Sequence, residues 1–208
     1  YLLLGQLVGG GMGMPRFEAA EVGNLELAWL IPLSLIGTVC GWLYFVSEHA
    51  SEALAHAIGE RPVVKAMLAG LVLAACGTVL PYTMFAGETQ ADVLMETYLT
   101  IPAGVLIATG LVKAMLTPAL INMGWRGGHF FPVIFSGVSL GYGLAILTGA
   151  DPVFCVAVCT ASTMGAVMRQ PVMVVGLLLM CFPLKGIVCM IIAAVIAAGI
   201  PLPKPLRK

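Results

Sequence analysis

Long apolar segments alternate along the chain with short polar stretches or stretches rich in Pro and Gly. The uncharged runs are 27–47, 66–87, 97–112, 114–125, 127–150, 152–168, 170–184 and 186–203. A spanning helix needs about 20 apolar residues, and three or four of the runs reach that length. The others are shorter and lie back to back. Such neighbouring short segments are typical of broken, re-entrant or strongly tilted membrane helices, which often line transport pathways.

Prolines divide these segments into predicted helices. Pro62 is placed for the first turn of one helix, Pro81 closes it, and Pro183 breaks a later one. The first helix contains Gly37 and Gly41, spaced for close helix packing. The fold class predicted by this pattern is an all-α bundle of tilted and broken membrane helices. The predicted helices cover 25–58, 62–80, a short part of the loop 81–100, 101–122, Pro132 to about Thr148, 152–168, 171–182 and a last segment ending near Gly199.

Basic residues predict which side of the membrane each connection faces. The turn 59–65 and the tail 204–208 carry Lys and Arg, whereas the loop 81–100 carries none. By the positive-inside rule, the turn and the tail face the cytoplasm and the acidic loop faces outside. Because the chain opens in mid-hydrophobic sequence, we expect residues 1–24 to hold the end of a preceding helix and a surface connector. Residues 25–203 then form the membrane domain.

Composition indicates an integral, multi-pass membrane protein. Hydrophobic residues make up 60% of the 208 positions and charged residues 10%, with a mean hydropathy of +1.04. Soluble domains carry about 25% charged residues, so soluble enzymes are excluded. The net charge of zero provides no basic patch for nucleic acid. The six cysteines lie in apolar runs without a CxxC pair, so disulfides, a metal site and a cofactor are not indicated.

The stretch from Gly127 to Pro132, with the sequence GGHFFP, is the most informative one for chemistry. The first turn of a helix has N–H groups without intrahelical acceptors, and aligned peptide dipoles add about half a positive charge there. Glycines let a ligand approach the backbone, so the stretch suits an anion. The alternative is a tight interhelical turn in which the glycines serve only packing. Because the run is uncharged, we expect residues 128–132 to begin a helix near mid-membrane.

The same stretch resembles the GGxFxP anion-pathway motif of the CLC family of chloride channels and chloride–proton antiporters. Lys113 lies where the preceding helix of that family often has a basic residue. The segment 165–176 (GAVMRQPVMVVG) is similar to a later family pattern of a small residue, Arg, any residue and Pro. The order and spacing of the predicted helices also match the family from about residue 25 to residue 203.

The resemblance implies that the chain is the second of two inverted halves of a subunit that transports chloride or a similar small anion across the cell membrane. The backbone N–H groups of His129 and Phe130 then contact the anion. The resemblance also implies a missing N-terminal half as a partner and a homodimer in which each subunit has its own pore. The implied anion-binding residues are Gly127, Gly128, His129, Phe130, Phe131 and Pro132.

Some family features are missing from this sequence, and several alternatives stay open. The gating glutamate and the pore tyrosine have no equivalent in the chain, so a channel and a proton-coupled antiporter are both compatible with it. Arg126 either attracts anions toward the pathway or snorkels to the membrane interface. His49, Glu52 and His56 share one helix face, which better suits an exposed amphipathic helix end than a metal site.

Two other functions are alternatives to anion transport by a CLC-type protein. The first is another inverted-repeat permease for a small anion, with GGxFxP as a packing turn. The second is an intramembrane enzyme, which needs clustered ionisable groups at membrane depth. Only His129, Lys113 and Arg126 are candidates for such a cluster, so the sequence favours the transport function.

Overall fold

The structure, a computed structural model, describes residues 15–84, 86–203 and 206, and within them the chain forms α-helices joined by short connections. Two 3₁₀ turns, Pro81–Thr83 and Tyr98–Thr100, flank the third helix. The helices are α1 Asn24–Ile58, α2 Pro62–Val79, α3 Glu88–Thr97, α4 Ala103–Asn122, α5 Phe130–Thr148, α6 Pro152–Met168, α7 Pro171–Leu178 and α8 Ile187–Gly199.

The helix boundaries follow the predicted pattern, with small differences. Proline is the first residue of α2, α6 and α7. A backbone N–H at this position has no intrahelical acceptor, so proline removes no hydrogen bond there. Helix α5 starts at Phe130, before Pro132, because proline is also tolerated later in a first turn. Helix α7 ends at Leu178, earlier than the predicted 182, and residues 179–186 form an irregular link that closes at Gly186 with φ +93°.

Helix α6 lies at the centre of the bundle. Every residue from Phe154 to Ala166 is buried, as expected of a helix that is apolar all round. It packs against α1, α5 and α8. The other helices are arranged around it, and α5 is therefore held between α6 on one side and α4 on the other.

Small residues allow the helices at this centre to approach closely. A β-carbon added to Gly37 of α1 would contact Ser162 and lie 2.9 Å from the carbonyl oxygen of Cys159, both on α6. A β-carbon added to Gly41 would lie 2.6 Å from the β-carbon of Ala166. The packing face predicted from the Gly37–Gly41 spacing is confirmed, since both glycines face α6 across a contact that leaves no room for a side chain.

Among the described residues, four helices are long and apolar enough to cross a membrane: α1, α2, α4 and α5. Together with the composition, they make the chain an integral membrane protein. In α2 only 6% of the most apolar window is buried, and its large side chains, such as Met67 and Leu71, are exposed. This helix therefore presents most of its apolar surface outside the bundle formed by the described residues.

Three charged side chains form hydrogen bonds at the ends of helices. Glu26 accepts hydrogen bonds from the backbone N–H groups of Gly23 (2.9 Å) and Asp151 (3.1 Å), and so joins the start of α1 to the start of α6. Asp151 in turn caps α6 by accepting from the N–H of Phe154 at 2.7 Å. Arg169, at the end of α6, donates to carbonyl groups at the end of α8.

The predicted segment boundaries at the two chain ends are only partly covered. Residues 1–14, where the end of a preceding helix was expected, lie outside the described residues, as does most of the tail 204–208. Residues 15–23 form an irregular segment in front of α1. Phe17 of this segment is buried and stacks on Phe182, with ring centroids 4.4 Å apart.

Candidate anion-binding site

The connection that leads to the predicted site begins with a sharp end of α4. Gly124 has φ +93°, a conformation that favours glycine. Its N–H donates to the carbonyl of Ile121 (2.9 Å), and the N–H of Trp125 donates to the carbonyl of Leu120 (3.1 Å). These two bonds form a Schellman motif, which satisfies the last carbonyls of the helix and turns the chain away from it.

Trp125 attaches this connection to α2. Its indole Nε1 donates to the carbonyl of Ala66 at 3.4 Å, and a β-carbon on Gly70 would lie 3.7 Å from its ring. The four residues from Arg126 to His129 then bridge from Trp125 to the start of α5. The bridge is thus fixed at one end by α2 and at the other by α5.

The start of α5 leaves three backbone donors without acceptors. The carbonyl of His129 accepts from the N–H of Val133 at 3.2 Å and so begins the helical hydrogen bonds. The N–H groups of His129, Phe130 and Phe131 have no hydrogen-bond acceptor among the described residues, and Pro132 has no N–H to offer. Three convergent donors at the positive end of a helix dipole form a suitable site for an anion.

The residues in front of these donors leave space for a ligand. Gly127 and Gly128 are exposed, and a β-carbon added to either would meet no described atom within 4 Å. The His129 ring is exposed and stacks on the Phe130 ring, with centroids 4.7 Å apart. No described side chain caps the helix. The backbone donors therefore lie beside the open space.

The start of α5 lies short of the end of α4 along the length of α4. The two helices are antiparallel: the Ser139 hydroxyl donates to the carbonyl of Leu106 (2.8 Å), and Gly110 lies directly against the carbonyl of Ser136. Continuing this register places Phe130 opposite Leu116 of α4. Helix α4 extends beyond that level through residues 117–122, which amounts to about 9 Å of helix.

The other candidate residues occupy different places. Arg126 is exposed in the connection, so its side chain is free to reach either the open space or an interface. His49, Glu52 and His56 lie on the last part of α1. In the part of the chain that the structure describes, no group of three or more His, Cys, Asp or Glu residues is arranged to hold a metal ion. His49 Nδ1 instead lies 3.1 Å from the carbonyl oxygen of Phe45.

A contact that sequence reasoning missed lies behind α5. The ammonium group of Lys113, in the middle of α4, donates to the carbonyl of Thr83 at 2.7 Å, and the side chain is only 4% exposed. The sequence identifies Lys113 as unusual, because it is a charged residue inside a long apolar segment. Its acceptor was not predictable, because Thr83 belongs to a turn that was expected at the membrane surface and not beside the middle of a helix.

Comparison with known proteins agrees with this architecture. No curated protein sequence matches the chain. The solved structure of a CLC-type fluoride/proton antiporter superposes with a TM-score of 0.75 at 20% sequence identity. The match covers 98% of this chain and 52% of the antiporter chain, so the chain spans about half the length of that relative. The sequence profile of the voltage gated chloride channel family matches residues 3–201, and the chain therefore belongs to this family.

Proposed function

We propose that the chain is one of two inverted halves of a membrane subunit that transports chloride or a similar small anion. The observation that carries this proposal is the start of α5, where three N–H groups without an acceptor among the described residues directly follow two glycines that lie in open space. Membership in the voltage gated chloride channel family supports it. So does the position of this helix start, short of the end of α4, because a helix end inside the membrane needs partners for its polar groups.

The mechanism follows from the type of donor. An anion that enters the open space loses part of its hydration shell, and the N–H groups of His129, Phe130 and Phe131 replace those water contacts. The helix dipole contributes about half a positive charge. That is enough to lower the barrier to entry without the strong binding that a full neighbouring charge would produce. Gly127 and Gly128 allow the anion to approach because they place no side chain in its way.

The remaining half of the site and of the subunit is also part of the proposal. The chain spans 52% of the related antiporter chain, and transporters with inverted repeats bind substrate between their halves. We propose that a further half of the same subunit supplies the opposing helix ends. A second copy of the subunit then forms a homodimer in the cell membrane. The exposed apolar side chains of α7 and α8, such as Val172 and Val188, suit such a contact.

The experiment compares two variants of the full-length parent protein reconstituted in liposomes and detergent. Phe130→Leu keeps the backbone N–H and much of the side-chain bulk, so chloride or fluoride affinity should change little, by about twofold or threefold. Phe130→Pro removes one donor. Losing a buried hydrogen bond to a charged group costs about 1–3 kcal/mol, and affinity should therefore fall by about tenfold or more. Calorimetry gives the affinities, and flux from loaded liposomes gives the transport rates.

Val63→Pro is the matched control. Val63 is the second residue of α2, is 69% exposed, and follows Pro62. It introduces a first-turn proline outside residues 126–132 and keeps the Ala66 carbonyl that accepts from Trp125, so it should leave anion affinity unchanged. Gel filtration and thermal unfolding identify variants that fail to fold. Equal affinities for Phe130→Leu and Phe130→Pro, both close to that of the unchanged protein, would show that the GGxFxP stretch is a packing turn.

A further inference from the structure

Lys113 is a cation held inside the bundle of a membrane protein. It lies in the middle of α4, Ala103–Asn122, and is 4% exposed. Ionisable side chains at membrane depth are costly and usually face a partner or an aqueous pathway. The Lys113 ammonium donates to the carbonyl of Thr83 at 2.7 Å. This bond places Thr83, in the connection between α2 and α3, beside the middle of α4 and not beside either end of α4.

The same segment is held against α5 at its other end. Gly87 precedes α3 with φ +104°, and a β-carbon there would lie 2.5 Å from the β-carbon of Phe135. Thr83 is therefore held against α4, and Gly87 is held against the second turn of α5. Irregular backbone at membrane depth is tolerated where it is buried in protein or lines an aqueous cavity. The hydrogen bond from Lys113 attaches Thr83 to α4 and so helps to hold this connection in place.

The α4–α5 register brings Lys113 close to the unpaired donors of α5. With Gly110 against Ser136, the next turn of α4 places Lys113 opposite Val133, about one helical turn from Phe130. The axes of packed helices are about 8–10 Å apart, so a residue of α4 at this level lies on the order of 10 Å from the start of α5. Glu88, the first residue of α3, lines a cavity together with Phe131, so its carboxylate opposes the charge of Lys113 there. Glu88 is half-buried, and water therefore screens its charge more than that of Lys113.

We propose that Lys113 tunes the anion affinity of the α5 start. Its charge raises the electrostatic potential at the N–H groups of His129, Phe130 and Phe131. Its hydrogen bond holds Thr83 at one end of a connection whose other end, Gly87, packs on Phe135 of α5. This inference rests on the proposed function of the same site. Across about 10 Å at an effective dielectric constant of about 20, the charge should change anion affinity by about tenfold.

Three variants of the full-length parent separate the charge from the hydrogen bond. Lys113→Gln keeps a donor but removes the charge, Lys113→Arg keeps both, and Lys113→Met removes both. We expect chloride and fluoride affinity, measured by calorimetry, to fall by about tenfold in Lys113→Gln and in Lys113→Met, and to stay within about threefold in Lys113→Arg. Lys185→Gln, at an exposed position between α7 and α8, is the charge-matched control and should bind as the unchanged protein does.

Thermal unfolding of the same variants in detergent distinguishes an effect of Lys113 on anion affinity from a purely structural role. A Lys113→Gln protein with normal anion affinity and a lowered unfolding midpoint would overturn the proposal and leave Lys113 as a packing residue. An affinity loss in Lys113→Gln with an unchanged midpoint, rescued by arginine, supports it. If the unchanged parent binds neither chloride nor fluoride, the proposed function itself is wrong. If the parent binds and Lys113→Gln binds equally well, only the role of Lys113 is wrong.

Discussion

Arg169 donates from Nη2 to the carbonyl oxygen of Ile200 at 3.0 Å and from Nη1 to the carbonyl oxygen of Ala198 at 3.3 Å. Ile200 directly follows α8, and Arg169 directly follows α6. A guanidinium at this place satisfies terminal carbonyls and complements the negative end of the α8 dipole. Arg169 also adopts φ 56°, which is uncommon for a residue with a side chain. The hydrogen bonds to the end of α8 explain why residue 169, whose positive φ usually favours glycine, is an arginine.

Replacing Arg169 by glutamine should therefore destabilise the protein. The side chain keeps a donor but loses the charge and the reach to both carbonyls, so unfolding should become easier by about 1–2 kcal/mol. The measurement is the thermal unfolding midpoint in detergent, with Arg16→Gln at an exposed position as the control. If both variants unfold at the same temperature, the bonds to Ala198 and Ile200 contribute nothing to stability.

Gly37→Ala should weaken the α1–α6 contact. The added β-carbon would meet Ser162 and the carbonyl of Cys159, and overpacking of this kind costs about 1–3 kcal/mol. Gly104→Ala in the first turn of α4 is the matched control, because a β-carbon there meets nothing within 4 Å. The unfolding midpoint of Gly37→Ala should fall while that of Gly104→Ala stays or rises. The reverse order would show that α1 and α6 are not packed through Gly37.

Gly128→Val should reduce anion affinity with little effect on folding. A β-carbon at Gly128 meets no described atom, and its φ lies outside the left-handed region. The branched side chain would instead occupy the space in front of the unpaired N–H groups and keep the anion away from them. We expect a loss of about tenfold in affinity, or about 1.4 kcal/mol. Gly176→Val, in open space on α7, serves as the comparison. Unchanged affinity in Gly128→Val would place the anion elsewhere.

The 208-residue chain alone should not conduct anions selectively. Under the proposed function it supplies one of several helix ends around the ion, and a single helix end leaves the anion incompletely coordinated. Liposomes that contain only this purified chain should release chloride no faster than protein-free liposomes. Release that is fast, selective for small anions and dependent on Phe130 would show that the opposing half is not needed.

The helices were largely predictable because their signals are local. Pro62, Pro152 and Pro171 each stand at the first position of a helix, where proline costs nothing and fixes the backbone angle. Helix α5 was expected to begin between residues 128 and 132 and begins at Phe130. The depth of this helix start in a membrane stays a prediction. Helix α7 was predicted too long because its apolar composition continues past Leu178, although the chain leaves the helix there.

The candidate site was predictable only in part. The glycines and the helix start follow from the order of residues 127–132, since both depend on backbone groups of neighbouring residues. The closeness of Lys113 to that helix start does not follow from any local pattern. It depends on the register of α4 against α5, which is set by the contact of Gly110 with Ser136.

By itself, the sequence of this protein determined the membrane class, the helices and the motif at the start of α5, because hydropathy, proline placement and glycine spacing act over a few residues. The tertiary structure alone decided which polar groups meet inside the bundle. Lys113 and Thr83 are 30 residues apart, Arg169 and Ile200 are 31 apart, and Glu26 and Asp151 are 125 apart. Each of these bonds exists because close packing at small residues fixes how far one helix is shifted along another, and that shift is a property of the whole bundle.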